Sequence, residues 1–210
     1  MNPPNLSLDH LVLGVPDLEK GARDFAERTG VTPIFGGRHA TGTANYLVGL
    51  GGDAYLEIIG ILPEERDNGL EQPFQLESLT QPRMVTWCLR SRDIENDVAA
   101  ARKSGVELGG VLSLSRQATD GTTLAWQMTR STPMPKSGML PFLIDWGSTP
   151  HPTTRELPSM RLSNIEIAFP DAPGLQADLA VLGVRSIRVT SGTPALRATV
   201  TTPHGVLGLS

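Results

Sequence analysis

The chain has 210 residues, 39% of them hydrophobic, with a formal net charge of −4. It is long enough to bury a sizeable core. It lacks the clustered Lys and Arg that a nucleic-acid partner requires, and no apolar run approaches the roughly 20 residues of a membrane span. The single cysteine, Cys88, excludes an intrachain disulfide framework and fits a reducing cytoplasm, and the N-terminus lacks the basic and apolar regions of a secretion signal; the expected location is the cytoplasm.

Residues 8–15 read as a buried strand. Asp17 suits a helix N-cap, Leu18, Ala22, Phe25 and Ala26 recur at helical spacing, and Gly30 suits a C-cap. Residues 31–35 predict a short strand with Pro33 at an edge or bulge, and Gly36 to Thr43 a loop. Strands over 44–50 and 54–60 flank the turn Gly51-Gly52-Asp53. Polar residues and prolines over 61–82 predict a linker. The order βαβββ then recurs. Residues 84–95 align without gaps on 8–19, with Leu89 on Leu13, Asp93 on Asp17 and Glu95 on Glu19. A helix to Gly105 follows, then strands near 109–117 and 122–129 joined by the turn Asp120-Gly121, and a strand from Leu140 to Trp146. A third, shorter copy follows: a strand at 160–169, a helix marked by Leu175, Leu179 and Leu182, and strands near 184–190, 196–202 and 205–209. The expected division is a first module at 6–62, a linker at 63–82, a second module at 83–148 and a third at 160–210.

Five stretches carry a resemblance: Leu8-Asp9-His10-Leu11-Val12; Gly37-Arg38-His39 with Gly42-Thr43-Ala44-Asn45; Tyr55-Leu56-Glu57-Ile58; Arg116 with Asp120-Gly121 and Leu124-Ala125-Trp126; and Pro141 to Trp146. In this order the chain resembles the glyoxalase-like domain proteins of the vicinal oxygen chelate superfamily (glyoxalases, bleomycin-resistance proteins, extradiol dioxygenases). The resemblance implies an α+β fold of repeated βαβββ modules, whose curved mixed sheets enclose a cleft. It also implies a divalent metal (Mn, Fe, Co, Ni or Zn) held by residues of the first and last strands. His10 and Glu57 match those ligand positions. In the second copy Thr86 stands in the place of His10, and Ile144, beside Asp145, near that of Glu57. In the third copy Asn164 replaces His10.

An isolated carboxylate amid Leu and Ile is costly to bury and needs a partner or a cation, which singles out Glu57 on residue chemistry alone. His39, in a Gly-rich loop, is the candidate third ligand or general base. Alternation puts Thr86, Cys88 and Arg90 on one strand face, with Cys88 read as a small buried side chain. Arg116 is a candidate anion contact or a rim ion pair, Trp126 a pocket wall or a core residue, and Asn45 a substrate contact. His151 reads as part of a structural linker and His204 as a turn residue. The expected function is a metal-assisted lyase, isomerase or dioxygenase acting on a substrate with adjacent oxygens, with Glu57 or His39 moving the proton. The alternative is a metal-free binding or sequestration protein. An odd number of modules also suggests a homodimer.

Overall fold

Asp17 opens the first helix as its residue type dictates: its carboxylate accepts from the Lys20 backbone N–H. Gly30 ends that helix at φ 71°, a conformation that favours glycine. The computed structural model of the protein describes residues 6–66, 69, 71–117 and 123–210. Its first unit is β1 (Ser7–Gly14), α1 (Leu18–Thr29), β2 (Ile34–Arg38), β3 (Thr43–Gly51) and β4 (Ala54–Ile61). The second is β5 (Arg83–Arg90), α2 (Ile94–Lys103), β6 (Gly110–Gln117), β7 (Thr123–Arg130) and β8 (Phe142–Asp145). The predicted turn Asp120-Gly121 lies outside the described residues. The third unit is β9 (Arg161–Ala168), α3 (Ala172–Val181), β10 (Arg188–Thr190), β11 (Ala195–Thr202) and β12 (Gly205–Leu209).

The first two units form one curled eight-stranded sheet in the order β2-β3-β4-β1-β5-β8-β7-β6. Within each unit the first and last strands pair in parallel, β1 with β4 and β5 with β8, and β1 and β5 join the units antiparallel. The fold is therefore α+β and glyoxalase-like, with two βαβββ modules curled around a cleft. The third unit repeats the order of elements but not the pairing. Its four-stranded sheet runs β10-β9-β11-β12, so its first strand lies beside β10 and β11 rather than beside its last. Its apolar side belongs to the same buried cluster as Trp87 and Leu89, through Ile167, Leu179, Leu196 and Val200.

Three local expectations change. β2 begins after Pro33 and runs through Gly36, Gly37 and Arg38, which had read as loop. Its register shifts between Phe35 and Gly37, and Gly36 leaves room for Asn45, whose Oδ1 would lie 2.2 Å from a Cβ there. Residues 63–82 do more than link: Leu76 is buried with Val12, Ile59, Ile61 and Val85, and Phe74 lies 5.7 Å from the Phe142 ring. His204 does turn the chain, but its Nδ1 also reaches the Arg28 carbonyl at the end of α1, at 3.3 Å.

Candidate active site

A β-bulge builds the centre of the site. β1 pairs with β5 through Leu8 and His10 but skips Asp9. The extra residue resets the alternation, so two consecutive side chains that a regular strand would send to opposite faces meet. Asp9 Oδ1 lies 2.6 Å from His10 Nδ1. The other oxygen, Oδ2, accepts from Arg90 Nε at 2.9 Å and Trp146 Nε1 at 3.1 Å, with His151 Nε2 at 3.1 Å. Asp9 is fully buried. Burial opposes its charge, but His10 and His151 hold its carboxyl far below the usual carboxylate range. His151, expected in a linker, is thus part of the network behind His10.

With Nδ1 turned to Asp9, His10 presents Nε2 to the cavity, 3.8 Å from Glu57 Oε2. Its ring stacks on Tyr55 at 4.8 Å and meets the edge of Phe142 at 5.4 Å. Glu57 Oε1 accepts from Asn45 Nδ2 at 2.6 Å, and the same nitrogen lies 3.5 Å from His39 Nε2. His39 Nδ1 lies 2.8 Å from Thr43 Oγ1. Asn45 therefore links His39 to Glu57. Burial, followed by the positive charge of Arg116, pushes the His39 imidazole below its ordinary value, against the pull of Glu57.

These groups line a cavity of about 330 Å³ between the two modules, and all seven residues singled out from sequence lie on its wall: His10, His39, Asn45, Glu57, Thr86, Arg116 and Trp126. Thr86 donates to the Gly138 carbonyl at 3.0 Å, which occupies its hydroxyl proton. Cys88 is fully buried behind His10, and burial, with Asp9 and Glu57 nearby, pushes its thiol well up, so it is no nucleophile. The sequence reading missed Asp9, Tyr55, Phe142 and the 72–75 stretch, which also forms cavity wall. The argument that singled out Glu57, a carboxylate in an apolar strand, applies equally to Asp9. Phe74 and Gln75 sit at φ 60° and 57°, as do Lys136 and Ser137 at 50° and 56°, on segments bordering the cavity. Such backbone concentrates around ligand sites.

The second module does not mirror these donors. Under the alignment of 84–95 on 8–19, Cys88 corresponds to Val12. Val12 pairs with Glu57 and Cys88 with Phe142, so Phe142, not Ile144, stands in the place of Glu57. One side of the cavity floor carries imidazole and carboxylate; the other carries a hydroxyl and a phenyl ring. The His10–Glu57 pair is compatible with a divalent metal. An ion about 2.1 Å from each donor can touch atoms 3.8 Å apart, and a carboxylate on the far nitrogen is the usual support of a metal-bound imidazole. Asp9, His10 and Cys88 also bring donor atoms within 4.8 Å of one another. There, however, Asp9 is already engaged at both oxygens and the Cys88 thiol holds its proton. The pair facing the cavity is the one a substrate reaches.

The glyoxalase-like domain family matches residues 8–183. The chain belongs to the glyoxalase-like domain family. It is thereby a member of the vicinal oxygen chelate superfamily. No curated protein matches this glyoxalase-like chain in sequence. Among solved structures, a hypothetical protein from Staphylococcus aureus is 13% identical, with a TM-score of 0.71, covering 98% of this chain and 99% of that one. The Mn(II)-bound glyoxalase from Novosphingobium aromaticivorans is 15% identical, with a TM-score of 0.51, over 96% of this chain and 80% of its own. A methylmalonyl-CoA epimerase from Mycobacterium tuberculosis is 16% identical, with a TM-score of 0.44, over 66% of this chain and 86% of its own. The first two share the fold, and the first shares it along almost the whole length, third unit included.

Proposed function

We propose that this glyoxalase-like protein is a small-molecule enzyme that acts on a substrate with adjacent oxygens by isomerase- or lyase-type proton transfer. The observation that carries the reading is the connected polar floor of the cavity, from Asp9 through His10 to Glu57, Asn45 and His39. Glu57 Oε2 is free of Asn45 and placed to take a proton from a carbon beside a carbonyl. His39, kept neutral at pH 7 by burial and Arg116, is the second proton carrier, joined to Glu57 through Asn45. Asp9 fixes the direction of His10 Nε2. A divalent metal, when bound between His10 Nε2 and Glu57, would polarise the substrate oxygens as a Lewis acid, leaving His39 as the base. Dioxygenation has less support, because the second module contributes Thr86 and Phe142 where further ligands would stand.

A binding protein without catalysis is the second reading. The apolar wall of Leu47, Ile59, Phe74, Met128 and Phe142 favours it. Proton exchange separates the two. In D₂O, wild-type protein is expected to exchange the carbon-bound proton of a 2-hydroxy ketone or 2-oxo acid, followed by NMR. Glu57→Gln is expected to slow this by about 10²–10⁴-fold. Binding without exchange would establish the second reading. Metal content of the purified protein, with His10→Ala beside it, tests the cation site. On either reading the partner is a small molecule in the cytoplasm, with no role for nucleic acid or membrane. Among the described residues no helix is long and apolar enough to cross a membrane.

A further inference from the structure

Arg116 lies on β6, at the outer edge of the eight-stranded sheet, and its guanidinium reaches across to β2 at the opposite edge. A Cβ on Gly37 would fall 2.2 Å from its Nη1. Its side chain is half-buried and lines the cavity. Among the described residues it has neither an ion pair nor a hydrogen-bond acceptor. The other cavity-lining cation, Arg130, pairs with Glu71 at 3.6 Å. Glu77 is exposed at the cavity wall, and Glu57 is held by Asn45. Burial, and then the neighbouring charge of Arg155, push the Arg116 guanidinium below its ordinary value, against the opposing pull of Tyr55 and Glu57. A partly desolvated guanidinium without an acceptor is costly unless something supplies one, and its planar fork matches a carboxylate or phosphate.

We infer that the substrate carries an anionic group, a carboxylate or a phosphate, that Arg116 binds at the sheet-edge seam while its adjacent oxygens face His10 and Glu57. The inference rests on the proposed use of the His10–Glu57 floor and adds the substrate's second end. The cavity that holds both is also lined by Phe74, Phe142 and Trp126, which suits a substrate whose two polar ends are joined by an apolar body.

Two probes separate the claims: 3,4-dihydroxybenzoate and 3,4-dihydroxybenzamide. They share adjacent oxygens and a flat apolar body and differ at the remote group, an anionic carboxylate in one and a neutral amide in the other. Binding is measured by calorimetry, and by tryptophan fluorescence because Trp126 lines the cavity. Wild-type protein is expected to bind the benzoate at least about tenfold tighter than the amide, the discrimination of one charge-assisted hydrogen-bonded pair. Arg116→Gln is expected to abolish that preference while leaving amide binding unchanged. Equal binding of both probes to wild type overturns the anion site and leaves the floor intact. A benzoate preference that survives Arg116→Gln, or a loss of amide binding in that variant, also overturns it. Failure of both probes to bind at millimolar concentration overturns the reading of the floor together with this one.

Discussion

At the scale of single residues, the site depends on Asp9, which is ionised deep in the protein. A carboxyl held below its unfolded value binds fewer protons in the folded state. It therefore stabilises the fold above the unfolded pKa, and that contribution is lost as pH falls. Wild-type unfolding free energy is thus expected to drop from roughly pH 5 downward more steeply than that of Asp9→Asn, measured by urea denaturation across pH. Asp9→Asn is also expected to cost about 10–100-fold in activity or metal affinity, since it removes the group that directs His10. His39 has the opposite chemistry with the same sign. Its lowered value means protonation favours the unfolded chain, so its contribution is full above about pH 6.5 and declines below it. By NMR its titration midpoint is expected below that of a free histidine. It should rise in Arg116→Gln and fall further in Glu57→Gln, because those two charges act on it in opposite directions.

At the scale of elements, one module contributes proton chemistry and its twin contributes walls. Two strands occupy equivalent places, yet β4 brings Glu57 and β8 brings Phe142. Thr86→His, at the second module's equivalent of His10 and paired with Val12 across the β1–β5 seam, is expected to raise divalent-metal retention in equilibrium dialysis; unchanged retention would show that the second module's floor lies too far from the pair. The helices obey simpler rules. α1 is held at its start by Asp17, so Asp17→Ala is expected to cost about 1 kcal/mol by denaturant melt. Residues 71–79 behave as a cover rather than a spacer: their buried Leu76 anchors a stretch that places Phe74 on the cavity wall.

At the scale of the whole molecule, the third sheet is covered on its apolar side by the first two modules through one continuous buried cluster. Leu179→Ala, in α3, is expected to destabilise the protein by about 2–5 kcal/mol. All three tryptophans lie between residues 83 and 148. If unfolding is one cooperative event, the tryptophan signal will shift with this distant substitution; a tryptophan transition that stays in place would show that the third sheet unfolds alone. We propose that a homodimer would use the third unit's β12 edge, where Val206 is 68% exposed. Light scattering at micromolar concentration, with Val206→Glu beside wild type, tests it.

How far the sequence reaches differs by feature. Repeated periodicity, helix caps at Asp17 and Asp93, and the gapless match of two strand-turn-helix segments determined the two βαβββ modules, because these signals are local and period-bound. Residue chemistry determined that Glu57 needed a partner, and the family pattern placed His10 beside it. Tertiary structure alone decided the rest. The bulge that turns Asp9 onto His10 depends on a register between β1 and β5 that neither strand encodes by itself. His151 reaches Asp9 across 142 residues of chain, and residues 71–79 become a wall only because Leu76 finds a hollow in the sheet. Phe142 rather than Ile144 stands opposite Glu57 because strand pairing, not sequence spacing, sets that place. The third unit could copy the order of elements without copying the pairing, since order is a property of the chain and pairing is a property of which apolar faces meet.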